Sequence, residues 1–162
     1  MEKKEQGIPV LVNLASLASY EGVADDPVQV ITTGRLIPQK GALLLRYREN
    51  LEDEATGEMT ESEIQLLMNR NQVTMHRSGP FSNTMMFQRN KRYETTFRTP
   101  YGDLPMAVQT REVRCDLGEE NGAVHLKYEI SMQGAYASTN ELHLEYQAQE
   151  DPEMLKGEEE TR

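Results

Sequence analysis

The chain has 162 residues, with 27 Asp or Glu against 17 Lys or Arg and a formal charge of −10. That length suits one domain able to bury about two thirds of its unfolded surface, and the acidity disfavours dedicated binding to nucleic acid or to an anionic membrane. A single cysteine, Cys115, excludes an intramolecular disulfide and fits a reducing cytoplasm, where a packed thiol is inert.

The opening MEKKEQG followed by IPVLVNLASLAS imitates a charged and then apolar leader. Asn13 and Ser16 interrupt the run, and Ile8, Val10, Val12 and Leu14 alternate as a first strand does. The segment is therefore read as structure rather than as a signal peptide. No stretch approaches the ~18 apolar residues of a membrane span. Val28, Val30, Thr32, Gly34 and Leu36 share one face of the next strand, and Ala42 to Tyr47 follow a turn at Pro38 to Gly41.

Residues 49 to 63 hold seven acids and no base, which reads as a solvated loop with one helical turn beginning at Thr60. Ile64, Leu66 and Met68 alternate again before Arg70-Asn71, and a turn there sets Met68 opposite Val73, Leu66 opposite Met75 and Ile64 opposite Arg77. Further on, a two- or four-residue loop centred on Pro100-Tyr101 sets Phe97 opposite Leu104, Thr95 opposite Met106 and Tyr93 opposite Val108. A three-residue loop breaks that match, and register in a half-buried sheet follows the inward set. Pro100 and Gly102 suit the second and fourth positions of a type I turn.

Asn121-Gly122 is a strong hairpin signal, because both residues tolerate positive φ. Centring the turn on it pairs Leu117 with Leu126, Cys115 with Tyr128 and Val113 with Ile130. Between Asp103 and Leu117 the apolar phase changes from even (Leu104, Met106, Val108) to odd (Val113, Cys115, Leu117), so a β-bulge is expected near Thr110 to Glu112. Leu142, Leu144 and Tyr146 supply the last strand. The tail EDPEMLKGEEETR carries six acids and two bases without an apolar pattern, the composition of disorder.

The expectation is an all-β protein, an antiparallel up-and-down meander of about 8–10 strands closed into a barrel, with a two-sheet sandwich as the alternative. Residues 1–149 form the single domain and 150–162 the acidic tail.

Thr33-Gly34 followed by KGALLLRYRE, then VTMHRSG, MMFQRNKRYETTFRTPYGDLPMAVQT and the final strand pair resemble the YwiB-like bacterial domains of unknown function over about residues 8 to 148. The resemblance implies a lipocalin-like (calycin) barrel and a bacterial cytoplasmic setting. It brings no reaction, substrate or catalytic residue.

Among candidate sites, the phase Val73, Met75, Arg77 turns a guanidinium inward. Such a charge needs a partner: either a ligand carboxylate or phosphate, or a structural acid near the rim. Tyr93, Thr95 and Thr110 lie on the inferred inner face, where hydroxyls orient a ligand or simply build the wall. Met75, Met85, Met86 and Met106 line an adaptable pocket or fill the interior. The ligand-binding set is Arg77, Met75, Tyr93, Thr95, Met106 and Thr110.

His76, His125 and His143 lack metal-motif spacing, although one register puts His143 opposite Glu129, so no metal and no cofactor are expected. No catalytic motif is present, and no enzymatic activity is expected. The basic turn RNKR (Arg89, Lys91, Arg92) reads as a solvated turn or as a contact for an anionic partner. The functional expectation is a cytoplasmic barrel, monomer or homodimer, binding a small apolar or amphipathic ligand. The alternative is a solid-core interaction module working through its basic turn or acidic tail; an interior of at least about 300 Å³ separates the two.

Overall fold

The alternation that runs through the sequence becomes an antiparallel sheet rolled on itself. A computed structural model describes residues 7–20, 23–24, 26–52 and 55–149. Its strands are β1 (Ile8–Tyr20), β2 (Val23–Ala24), β3 (Val28–Gln39), β4 (Ala42–Glu52), β5 (Met59–Met68), β6 (Gln72–Ser78), β7 (Asn83–Gln88), β8 (Arg92–Thr99), β9 (Gly102–Leu117), β10 (Asn121–Met132) and β11 (Ala135–Ala148). The described residues contain no helix. The acidic tail falls outside them.

The hydrogen-bonded order is β7-β6-β5-β4-β3-β1-β11-β10-β9-β8, with the short β2 on β1. First and last strands thus pair, Val12 with Tyr146 and Leu14 with Leu144, and the seam of the barrel falls between β7 and β8. Two clasps narrow that seam. At one end the Ser82 and Arg98 backbones exchange hydrogen bonds of 2.9 and 2.8 Å; at the other, Lys91 N–H donates to Gln88 O at 3.0 Å across the turn that joins β7 to β8. The result is a nearly closed ten-strand barrel with little free edge.

Register follows the inward-facing residues. Arg70-Asn71 turns the chain so that Met68 meets Val73, Leu66 meets Met75 and Ile64 meets Arg77. The β8–β9 hairpin sets Phe97 on Leu104, Thr95 on Met106 and Tyr93 on Val108. Its two-residue loop leads into Gly102 at φ +131°, and Thr99 Oγ1 ties the loop down by accepting from Tyr101 N–H at 3.0 Å. In β9 the pairing steps from Lys127–Glu112 to Tyr128–Thr110, so Arg111 bulges out and both halves of the strand keep their apolar side chains inside.

Three expectations are corrected. The acid-rich stretch 49 to 63 is largely strand, with no helical turn at Thr60: β4 runs through Glu52 and β5 starts at Met59. The acids sit there because Arg46 and Arg48 of β4 face Glu63 and Glu61 of β5 on the outer surface, at 3.6 and 3.5 Å, while Ser62 turns inward and is buried.

The Asn121-Gly122 pair is not the turn. Residues 118–120 make the connection, and Leu117 pairs with Gly122, Cys115 with Val124 and Val113 with Leu126. Glycine is needed at 122 for space: a Cβ there falls 2.4 Å from the Tyr146 hydroxyl and 2.6 Å from Asp116 O. That hydroxyl donates to Gly118 O at 2.7 Å and accepts from Gly118 N–H at 3.1 Å, stapling the last strand to the turn. In the separate β10–β11 hairpin, His143 stands opposite His125 rather than Glu129, which faces Thr139.

The interior has two unlike halves. Toward the turns at 40–41, 69–71, 89–91 and 118–120 it is solid, with Val10, Val12, Leu45, Leu66, Met68, Val73, Phe87, Leu126 and Leu144 fully buried. Toward the opposite turns it opens.

Candidate functional site

At the open end the inner wall encloses a cavity of about 910 Å³, near the upper part of the range of ~300–1,000 Å³ usual for small-molecule sites. Its walls follow from strand alternation. Beyond Leu43, Leu45 and Tyr47 the inner face of β4 continues to Glu49, and beyond Val73 and Met75 that of β6 reaches Arg77. Asn83 and Met85 enter from β7, Phe97 from β8, Met106 from β9, and Tyr128, Ile130 and Met132 from β10; Ser138 enters from β11. Phe81 and Phe97 stack across the seam with ring centroids 6.3 Å apart. The floor is Tyr128, whose ring packs on Phe87 at 4.7 Å and separates the hollow from the solid half.

Three of the polar groups, Glu49, Arg77 and Asn83, come from strands β4, β6 and β7 of the run β7-β6-β5-β4. Arg77 Nη1 is ion-paired and hydrogen-bonded to Glu49 Oε1, both side chains being about three quarters buried. The guanidinium is therefore already neutralised from within the barrel, the structural partner that an inward charge requires. Tyr128 and Tyr47 lie in the field of this pair. Burial pushes the Tyr128 phenol up to about 12, the Arg77 charge acting in the opposite direction. Burial raises Tyr47 further, and Glu49 adds to the shift. Both therefore present neutral hydroxyls. Asn83 Oδ1 is buried beside the cavity without a hydrogen-bond partner among the described residues. Glu52 and Glu58 rim the mouth, exposed.

The family is decided by a match over most of this barrel. The family model described as "Domain of unknown function (DUF1934)" matches residues 12–144. The chain belongs to this family. The crystal structure of the ywiB protein from Bacillus subtilis is similar to it with a TM-score of 0.76 at 19% identity, covering 88% of this chain and 93% of that one, a likeness of fold. Comparison with curated proteins gives no match.

In this DUF1934 domain the six expected ligand-binding residues separate. Arg77 and Met106 line the cavity. Met75 is buried in the core below it, and Thr110 lies fully buried in the solid half beside the bulge, its hydroxyl without a partner among the described residues. Tyr93 and Thr95 are half-buried on the inner face of β8, outside this cavity wall. Met85 is inside with Met106, whereas Met86 pairs with Thr74 on the other face.

The histidines sit away from the cavity. His125 Nε2 lies 2.7 Å from Glu141 Oε2, His143 Nε2 3.1 Å from Glu145 Oε2, and His76 Nδ1 2.8 Å from Thr84 Oγ1. Among the described residues no three His, Cys, Asp or Glu side chains are grouped to hold a metal ion. Cys115 is half-buried, and burial raises its pKa, keeping it a thiol.

Glu49, Glu52, Glu58, Asn83 and Tyr128 escaped the sequence reading. Glu49 had a signal: one more step of the Leu43, Leu45, Tyr47 alternation places it inside, on the same face as the inward Arg77.

Proposed function

We propose that this domain is a non-enzymatic, lipocalin-like carrier that binds a small amphipathic molecule in the open half of its barrel, in the bacterial cytoplasm. The observation that carries the reading is the cavity itself: about 910 Å³ of space walled by Phe97, Met85, Met106, Ile130 and Met132, with a few polar groups among them. A wall of that kind takes up apolar surface without direction, and the few polar atoms orient what enters. Methionines let the wall adapt to more than one shape. The lone, half-buried thiol fits the reducing compartment. A solid-core interaction module would leave no such space.

The test is titration with N-phenyl-1-naphthylamine, an uncharged dye that fluoresces on entering an apolar site. The wild-type chain binds one dye per molecule with micromolar affinity, about −8 kcal/mol. Met106→Trp fills the space and weakens binding at least about tenfold while the fold, read by circular dichroism, is kept. A wild-type protein that leaves the dye dark ends the carrier reading.

A further inference from the structure

The ligand class follows from the charges around the cavity, and the inference rests on the carrier reading above. Four side chains of the formally charged types line the space: Glu49, Glu52, Glu58 and Arg77. Arg77 is consumed by Glu49, so the guanidinium that would otherwise anchor a carboxylate or phosphate carries no net charge to spare. Glu52 and Glu58 have no ion-pair partner among the described residues. The cavity is thus negative by two charges at neutral pH, with apolar walls that concentrate the field.

A second observation points the same way and does not depend on the acids. Asn83 Oδ1, an acceptor beside the space, is buried and without a hydrogen-bond partner among the described residues. An unmet buried acceptor is costly and favours an occupant that brings an N–H donor. The Tyr128 hydroxyl, on a side chain 9% exposed at the cavity floor, can accept from the same group. The rings of Phe81, Phe97 and Tyr101 around the mouth present π-faces or edges to which an ammonium is attracted.

We propose that the molecule carried is an amphipathic organic cation, a protonated amine bearing an apolar alkyl or aryl body. The body packs among Met85, Met106, Ile130 and Met132. The ammonium lies on the acidic side, among Glu52, Glu58 and the Asn83 acceptor.

Three eight-carbon probes of similar shape test this on the full chain at neutral pH: octylammonium, octan-1-ol and octanoate, each displacing the bound naphthylamine. Octylammonium binds about tenfold or more tighter than octanoate, with octanol between them. In Glu52→Gln/Glu58→Gln, two exposed positions where folding is not at stake, the preference shrinks to about threefold or less. Glu49→Gln frees Arg77 and brings octanoate level with octylammonium or ahead of it. Should Glu49→Gln not fold, the double variant decides alone.

Equal affinities, or octanoate tightest in the wild type, overturn the cation assignment while the carrier reading stands, because the dye still binds. A preference untouched by the double variant overturns the role given to the two rim carboxylates and with it the proposal. Failure of every probe, the dye included, ends both readings.

Discussion

The two ends of strand β10 face the same interior and meet different surroundings. Val124 and Leu126 are buried to within 1% in the solid half; Ile130 and Met132, four and six residues beyond Leu126, are half-buried and border a void. Sequence alone makes these positions equivalent, since all are apolar and in phase. What separates them is what stands opposite. Around Leu126 the neighbouring strands contribute Leu, Val and aromatic side chains, while the lining that Ile130 shares includes Glu49, Arg77, Asn83 and Ser138 among its apolar residues. A barrel end lined in part by polar side chains cannot collapse onto itself without stripping water from them, so it stays open.

The comparison breaks most sharply on truncation. Leu126→Ala removes close-packed methyls from a site that cannot relax and costs about 3 kcal/mol, whereas Ile130→Ala enlarges an existing hollow and costs about 1 kcal/mol. Urea unfolding of the two variants measures the difference. Equal losses would mean that the open half is as tightly packed as the closed one.

Two glycines sharpen the contrast from the backbone side. At Gly122, in the closed half, a methyl group meets the Tyr146 hydroxyl and the Asp116 carbonyl, with no positive φ involved. At Gly134, in the β10–β11 turn of the open end, there is open space but φ is +83°. Gly122→Ala is expected to lower stability by about 2 kcal/mol through steric conflict, and Gly134→Ala by about 1 kcal/mol through backbone strain alone. Tyr146→Phe, which removes the hydroxyl, relieves part of the first penalty and none of the second. Failure of that rescue would show that the backbone carbonyl, not the tyrosine, dictates glycine at 122.

Most of the architecture was legible, because a half-buried strand writes its register in its own alternation. The Arg70-Asn71 and Pro100-Tyr101 turns and the Arg111 bulge all follow from keeping apolar residues on one side. The reading failed where a local signal outweighed that rule. Asn121-Gly122 looks like a turn, but glycine is required there by the Tyr146 ring packed over it, a contact between residues 24 apart that no local pattern reveals. The acids of 49 to 63 look like loop because their cross-strand partners, Arg46 and Arg48, belong to a neighbouring strand. The same misreading concealed the site. With Glu49 assigned to solvent, Arg77 lacked its partner and the acidic rim went unseen, whereas Arg77 and Met106, placed by alternation alone, do line the cavity.

The smallest effect is confined to alkaline solution and reports on the floor that divides the two halves. Tyr128 is raised from 10 to about 12 by burial, with Arg77 pulling it back, and burial together with Glu49 raises Tyr47 as well. For such groups the unfolded chain ionises first. Their contribution to stability is whole below about pH 10, and it drains away as pH climbs from there toward the folded value. The urea midpoint therefore falls between about pH 10 and about pH 12, and phenolate absorbance shows a late-titrating class among the seven tyrosines. Tyr128→Phe removes one member of that class and flattens the alkaline decline, with little change at neutral pH, where the phenol is uncharged in both states. If water or a polar occupant already solvates this floor in the free protein, Tyr128 titrates with the exposed tyrosines and the variant leaves the alkaline limb where it was. That result would remove the dry partition on which the contrast between a sealed half and a receptive half depends.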